Sequence, residues 1–243
     1  MHPHFFNRQE QSSILAFAEG DVNGDYIQDY VYIVGQQSSD SPYTTALTIV
    51  VQDGKTNAFY NIPLKTDSGY EPALFLGDFT GNGVDDIFIR INSGGSGGFG
   101  YFYVYSFANN LANILFDYEV FNGENQYAVL YEDQYRVKVI NETMNLTSTI
   151  DLSNRDPQYL ADLYNSDGTL IQPREGWVSD LNQLYPIDFD GDGVYELYAL
   201  QRIIGQYNAD GLGLVQTPLS WDQNKFKPFF DNQYVAVLGQ PYR

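Results

Sequence analysis

Three short segments of this chain repeat one arrangement of oxygen-bearing side chains, and a hydrophobic strand follows each of them. The segments are nine residues long, offer side-chain oxygens at positions 1, 3, 5 and 9, and are here called loop 1 (21–29), loop 2 (78–86) and loop 3 (188–196). Asp, Asn and Gly favour tight turns, whereas the residues that follow, such as Tyr30-Val-Tyr-Ile-Val34, are β-branched or aromatic. The pattern therefore predicts β-hairpins with oxygen-rich corners.

The spacing of these oxygens indicates a bound metal ion. Calcium takes six to eight oxygen ligands, and a tightly turned loop can aim alternate side chains and one backbone carbonyl at a single point. An EF-hand begins with the same spacing, but it closes with a Glu at position 12, where this chain has Tyr32, Ile89 and Ala199. Any one such cluster is explained equally well as a simple turn. Three clusters with matched flanking strands favour calcium.

The pattern resembles the FG-GAP and VCBS repeats of integrin α-subunit propellers and of many bacterial surface proteins. In that family the loop binds calcium between adjacent strands of a propeller blade. The resemblance implies side-chain ligands at Asp21, Asn23, Asp25 and Asp29 in loop 1, at Asp78, Thr80, Asn82 and Asp86 in loop 2, and at Asp188, Asp190, Asp192 and Glu196 in loop 3. It also implies that position 7 supplies a backbone carbonyl, from Ile27, Val84 and Val194.

Two departures from the family pattern rank the loops. Loop 1 has Tyr26 at position 6, where the family usually has Gly, and a bulky residue strains any turn that needs a positive φ. Loop 2 carries Thr80 and Asn82 in place of two carboxylates, which lowers its charge. The ligand positions thus hold three, two and four carboxylates in loops 1, 2 and 3. Loop 3 is the strongest predicted site.

The spacing of the loops predicts a repeat architecture. They start 57 and 110 residues apart, and the strand-turn-strand segment 126–140, centred near Asp133, is the degenerate copy expected between the second and the third. A period near 56 residues with several strands per unit is typical of a propeller or a related β-array. We expect an all-β, β-propeller-like array of about four four-stranded units with one short inserted helix. The predicted units are 13–68, 69–122, 123–176 and 177–243, and the predicted helix lies within Asp156–Gly168.

Length and charge limit the possible roles of the chain. All-β domains of 243 residues commonly form one unit, so we expect a single domain over 1–243, with residues 1–12 flexible. The net charge of −19 disfavours nucleic acid and anionic membranes as partners, since both require a basic face. No apolar run approaches the length of a membrane helix, so membrane insertion is not expected, and no signal peptide is visible.

Catalysis finds little support in the sequence. His2 and His4 are the only histidines, and both lie at a terminus, which disfavours a Ser-His-Asp triad or a histidine-rich zinc site. A glycosidase needs only two carboxylates at a suitable separation. Outside the loops six glutamates remain available for such a pair: Glu71, Glu119, Glu124, Glu132, Glu142 and Glu175.

These observations favour a binding module over an enzyme, with no catalytic residues assigned. We expect a calcium-binding FG-GAP/VCBS-type module for surface structure, adhesion or recognition, outside the cell or at the cell or spore surface, with a protein or glycan partner of unknown identity. The alternatives are a secreted or surface carbohydrate-active hydrolase on the same scaffold, and a structural protein of the spore coat or envelope.

Overall fold

The computed structural model describes residues 12–230, 232–237 and 239, and these residues are mostly β-strand. The strands are β1 Ser12–Gly20, β2 Asp29–Gln37, β3 Tyr43–Gln52, β4 Phe59–Pro63, β5 Gly69–Gly77, β6 Asp86–Asn92, β7 Gly100–Ser106, β8 Asn113–Asp117, β9 Tyr127–Glu132, β10 Arg136–Asn141, β11 Leu146–Asp151, β12 Glu175–Ile187, β13 Glu196–Ile204, β14 Gly211–Asp222, β15 Lys225–Pro228 and β16 Tyr234–Val237. Two short α-helices accompany them, α1 Tyr118–Glu124 and α2 Pro157–Ala161. The prediction of an all-β, propeller-like fold is confirmed.

The strands form two curled antiparallel sheets of eight strands each. The first has the order β1-β2-β3-β5-β6-β7-β8, with β4 paired to β3. The second has the order β11-β10-β9-β12-β13-β14-β15, with β16 paired to β14. The predicted units 13–68 and 69–122 thus contribute their strands to the first sheet, and the units 123–176 and 177–243 contribute theirs to the second.

The chain divides into two compact units. The first takes the described residues up to Gly94 together with Tyr101–Leu115, and the second takes Gly95–Gly100 and the chain from Phe116 onward. The single domain predicted over 1–243 stays a prediction. Of the terminus predicted to be flexible, residues 1–11, with both histidines, lie outside the described residues, and Ser12 is the first residue of β1.

One hairpin geometry recurs three times. In β1-β2, β5-β6 and β12-β13, the residue just before the loop lies opposite position 9 of that loop. These pairs are Gly20 with Asp29, Gly77 with Asp86, and Ile187 with Glu196. A strand, and not a helix, follows each loop, so position 12 lies within a sheet. The hairpin corners predicted from the three segments are therefore present.

Alternation along the strands builds the core of each unit. In the first unit Val31, Ile33, Ile49 and Val51 are fully buried at every second position of β2 and β3, because successive side chains of a strand point to opposite faces. In the second unit the core combines strand residues with the segment after α2. Its members are Val129, Tyr131, Val137, Val139, Ile150, Leu152, Leu163, Tyr164, Ile203, Leu212 and Val215.

Three elements differ from the expectation. The predicted unit 69–122 ends in a helix and not in a strand: β8 ends at Asp117, whose carboxylate accepts a hydrogen bond from Glu119 N–H and caps α1. The predicted helix is present but short, since α2 covers only Pro157–Ala161. Strand β12, the first strand of the hairpin around loop 3, crosses the predicted boundary between the units 123–176 and 177–243, since Glu175 and Gly176 pair with β9, and its register against β13 shifts twice. Of the predicted unit 177–243, residues 231, 238 and 240–243 lie outside the described residues.

The helices of the described chain are short. With seven residues in α1 and five in α2, none of them has the length and apolar character needed to span a membrane.

The aromatic core beneath loop 2 gives a direct test of this packing. Phe79 is fully buried, stacks on Phe88 with ring centroids 6.3 Å apart and meets the edge of Phe75 at the same distance. Phe189, at the equivalent position of loop 3, is 37% exposed. We expect Phe79→Ala to lower the free energy of unfolding by about 3–5 kcal/mol, and Phe189→Ala by clearly less. Urea denaturation of both variants measures this, and equal losses would contradict the packing described.

Candidate functional site

The carboxylate at position 1 organises each of the three loops. In every loop it accepts hydrogen bonds from the backbone N–H groups at positions 4, 5 and 6. The N···O distances are 2.8, 3.2 and 2.7 Å for Asp21 in loop 1, 2.7, 3.3 and 2.7 Å for Asp78 in loop 2, and 2.7, 3.2 and 3.1 Å for Asp188 in loop 3. The chain is thus wrapped around one acidic group in the same way three times.

Two further hydrogen bonds repeat in all three loops. The side chain at position 5 accepts from the N–H at position 7, at 2.9 Å in loop 1 and 2.8 Å in loops 2 and 3. The carboxylate at position 9 accepts from the N–H at position 2, at 3.1, 3.0 and 2.9 Å in loops 1, 2 and 3. Together these bonds hold the oxygen-bearing side chains of positions 1, 5 and 9 on the inside of each turn.

Positions 4 and 6 of each loop have a positive φ, which explains the glycines there. Gly occupies position 4 in every loop and position 6 in loops 2 and 3, with φ between 73° and 89°. In loop 1 position 6 is Tyr26, which has a φ of 66° and a side chain that is 96% exposed. The strain predicted at Tyr26 is therefore present.

The carboxylate at position 9 is buried in every loop. Asp29, Asp86 and Glu196 are 0%, 1% and 5% exposed. Burial is the largest cause that raises the pKa of each, and for Asp86 it raises the pKa to about 7. In loop 3 the pKa of Glu196 is raised further by the nearby carboxylates of Asp190, Asp192 and Asp188. A cation in this loop would relieve that repulsion.

Loop 3 brings three carboxylates to one point. Oxygens of Asp188, Asp190 and Glu196 all lie within 4.8 Å of one another. Two oxygens bound to one calcium ion at about 2.3–2.6 Å can be no more than about 5 Å apart, so this spacing fits a shared calcium ion. Among the residues that the structure describes, loops 1 and 2 form no such group of three acidic side chains. Among the described residues such a cluster is thus found in the loop with the most carboxylates, and the ranking of the loops as metal sites stays a prediction.

The other predicted side-chain ligands hold their loops together. In loop 1 the oxygen of Asn23 accepts a hydrogen bond from Asp25 N–H at 3.0 Å, and its amide nitrogen contacts Asn110 Oδ1 at 3.4 Å. In loop 2 the hydroxyl of Thr80 donates to Asp78 at 3.4 Å. Both side chains therefore support turn geometry, and the metal role implied for them stays a prediction.

Loops 1 and 2 lie side by side in the first unit. Asp85 N–H donates to the backbone oxygen of Asp21 at 3.0 Å. Burial and the carboxylates of Asp78 and Asp21 raise the pKa of the Asp85 carboxyl. Asp85 occupies position 8 of loop 2, which supplies no ligand in the FG-GAP/VCBS pattern. Its location between two acidic loops is therefore visible only in the folded structure.

A separate turn reaches loop 1. Gly54 N–H donates to Asp29 Oδ1 at 2.9 Å, and the ammonium of Lys55 lies 3.4 Å from Asp25 Oδ2. The pair Asp53-Gly54 is an ordinary turn signal in the sequence. Nothing local in the sequence indicates that this turn folds back onto a loop some 25 residues earlier.

The glutamates considered for a glycosidase pair lie mostly at the surface. Glu71, Glu119, Glu124, Glu142 and Glu175 are exposed, and Glu132 forms an ion pair with Lys138. Glu71 also accepts a hydrogen bond from Asn92 at 2.9 Å. No observation on these side chains favours a catalytic pair.

Comparisons with known proteins identify relatives. The family described as the YybI C-terminal domain matches residues 125–236, which lie within the second unit and include loop 3. A Bacillus subtilis (strain 168) protein, described as the uncharacterized protein YybI, is 44% identical over 239 residues, which cover 98% of this chain and 90% of that protein. No solved structure matches. These relatives do not test the resemblance to FG-GAP and VCBS repeats, which stays a prediction.

The strain at Tyr26 gives a prediction for loop 1. A residue other than Gly costs about 1–2 kcal/mol in the left-handed region, and Gly loses part of that gain to its larger unfolded-state entropy. We expect Tyr26→Gly to raise the free energy of unfolding by about 0.5–1 kcal/mol. Thermal or urea melts of Tyr26→Gly beside Ile27→Gly check this, because Ile27 has no positive φ and its replacement should destabilise. A less stable Tyr26→Gly variant would show that the tyrosine side chain contributes more than its backbone costs.

Proposed function

The chain belongs to the YybI family, and we propose that it is a non-enzymatic calcium-binding module whose principal metal site is loop 3. The observation that carries this proposal is the convergence of Asp188, Asp190 and Glu196 within 4.8 Å. Asp192 adds a fourth carboxylate to the same turn, and Val194 would add a backbone carbonyl. Bound calcium would supply charge neutralisation in this turn, because it is a hard cation that accepts several carboxylate oxygens at once.

Loop 2 is proposed as a weaker site of the same kind. It shares the position-1 hydrogen bonds and the buried carboxylate Asp86, but Thr80 and Asn82 leave it with less negative charge. Ligand charge is one determinant of calcium affinity in such loops. Calcium should therefore fill loop 3 before loop 2.

The wider role proposed is surface structure, adhesion or recognition of a protein or glycan outside the cell or at the cell or spore surface. Extracellular calcium modules have Kd values of about 10⁻⁴–10⁻³ M, and an exposed loop such as loop 3 is suited to binding of that strength. The net charge of −19 also suits a module that stays soluble and avoids nucleic acid.

Calcium should raise the thermal stability of the protein. A ligand at one hundred times its Kd stabilises the folded state by about 2.7 kcal/mol per site. Differential scanning calorimetry in EDTA and in millimolar calcium should therefore show a higher Tm with calcium, and a smaller rise with magnesium, which demands stricter octahedral geometry. Identical melting curves in EDTA and in calcium would remove the proposal.

A variant at Asp190 distinguishes an effect on calcium binding from an effect on the stability of the fold. Its carboxylate is exposed and accepts no hydrogen bond among the described residues, whereas Asp188 accepts three. We expect Asp190→Asn to keep or slightly raise the Tm in EDTA, since it removes like-charge repulsion, and to weaken calcium binding about ten-fold in calorimetric titration.

Asp180→Asn is the matched control, because Asp180 is an exposed aspartate on β12 outside the loops. It should leave calcium affinity unchanged. If Asp190→Asn binds calcium as tightly as the parent, Asp190 is not a ligand, and if it lowers the Tm in EDTA, the Asp190 side chain supports the metal-free fold and does not destabilise it by repulsion.

The binding role can be separated from hydrolysis by incubating the protein with a glycan array and with intact cells and spores. We expect calcium-dependent retention on one of these surfaces without release of soluble sugar. Release of soluble product would favour the hydrolase alternative, and retention that EDTA leaves unchanged would separate the partner site from the metal loops.

A further inference from the structure

Loop 1 differs from loop 3 in how its buried carboxylate is satisfied. Both oxygens of Asp29 accept backbone hydrogen bonds, from Val22 N–H at 3.1 Å and from Gly54 N–H at 2.9 Å. Glu196 accepts one hydrogen bond among the described residues, from Phe189 N–H. The second donor of loop 1 comes from outside the loop, in the turn between β3 and β4.

The same turn also brings a positive charge to loop 1. Lys55 Nζ lies 3.4 Å from Asp25 Oδ2, while the other oxygen of Asp25 accepts Ile27 N–H. In the part of the chain that the structure describes, the ion pairs place no Lys or Arg against a ligand position of loop 2 or loop 3. Loop 1 is thus the loop whose acidic side chains face a cation of the protein itself.

The turn between β3 and β4 is held in place by its own contacts. Asp53 is buried and accepts hydrogen bonds from Lys55 N–H at 2.8 Å and Thr56 N–H at 2.9 Å. A Cβ at Gly54 would lie 2.0 Å from the backbone oxygen of Gln28, so only glycine allows this close approach. The backbone of the turn therefore reaches Asp29 from a fixed position.

We propose that this turn replaces the cation in loop 1, with Gly54 N–H and the Lys55 ammonium taking the place of bound calcium. The inference rests on the proposed function, because it divides the three loops into ones that need a metal and one that does not. Loop 1 keeps its closed form in metal-free protein. Calcium enters it only by displacing Lys55, so loop 1 takes calcium after loop 3.

Amide hydrogen exchange of the full chain tests the statement that loop 1 stays closed in metal-free protein. In EDTA, the amides of Val22, Gly24 and Ile27 in loop 1 should exchange more slowly than those of Phe189, Gly191 and Val194 in loop 3. Calcium at a concentration that raises the Tm should slow the loop 3 set and leave the loop 1 set unchanged. Equal exchange of the two sets in EDTA, or a slowing of both sets at the same calcium concentration, would overturn the inference.

A lysine variant tests the charge. Calcium titration followed by NMR resolves the loops through the amide signals of Gly24 in loop 1 and Gly191 in loop 3. In Lys55→Met the calcium concentration that shifts Gly24 should fall about ten-fold, because a unit charge within several ångströms of a divalent ion is removed. The Gly191 response should not change.

Lys138→Met is the matched control, since Lys138 also pairs with a carboxylate, that of Glu132, and neither residue belongs to one of the three loops. Lys138→Met should change the calcium midpoints of Gly24 and Gly191 only slightly and by the same factor. An unchanged Gly24 midpoint in Lys55→Met, or a parent protein in which Gly24 responds before Gly191, contradicts the inference. If Gly191 does not respond in any variant, the proposed calcium site has failed instead, and the exchange protection of loop 1 in EDTA still decides the role of the turn.

Discussion

The three loops depend on one buried carboxylate at the start of the second strand of each hairpin. Asp29, Asp86 and Glu196 are at most 5% exposed, and an uncompensated charge in such a position is unfavourable by several kcal/mol. In each loop the backbone N–H at position 2 donates to this carboxylate. That contact requires the chain to return to the sheet after a fixed number of residues. Loop length and strand register therefore follow from this contact, while the separate hydrogen bonds of positions 1 and 5 orient the other side chains of each loop.

The negative charge that this contact leaves uncompensated differs from loop to loop. Loop 1 receives a second backbone donor and an ammonium from the turn between β3 and β4. Loop 2 has fewer negative charges to neutralise, because Thr80 and Asn82 occupy positions where the FG-GAP/VCBS pattern allows aspartate. Loop 3 has four carboxylates, of which three converge. The same backbone frame thus supports three different levels of unbalanced negative charge.

The parts of the fold that could be predicted from sequence are those set by neighbours along the chain. The turn chemistry of the loops predicted the hairpin corners, the missing glycine predicted the strained φ of Tyr26, and Asp156 with Pro157 predicted the start of α2. These features depend on residues within a few positions of one another. Local pattern is sufficient for them.

The features that could not be predicted depend on contacts between distant segments or on irregular strands. Two register shifts interrupt the alternation of polar and apolar residues in β12, so the start of this strand cannot be located from the pattern. Asp117 ends β8 and caps α1 in a segment whose residues favour a strand. The approach of Gly54 and Lys55 to loop 1, and of Asp85 to Asp21, joins segments that are separated by tens of residues. Of the candidate site, the positions of the acidic side chains in the three turns could be predicted from sequence, whereas their metal roles and their ranking stay predictions. The source of compensating charge could not be predicted.

The distribution of charge among the loops also distinguishes the two compact units. The first unit holds loops 1 and 2, and loop 1 is proposed to be neutralised from within the protein. The second unit holds loop 3, and the YybI C-terminal domain match at 125–236 falls inside this unit. The carboxylates of Asp190, Asp192 and Asp188 raise the pKa of Glu196, and we expect their mutual repulsion to destabilise the second unit in calcium-free protein, whereas in the first unit Gly54 and Lys55 contact loop 1 directly. Calcium dependence of folding should therefore be greatest in the second unit, because loop 3 has four carboxylates at its ligand positions and no ion-paired Lys or Arg among the described residues, whereas loop 2 in the first unit has only two such carboxylates.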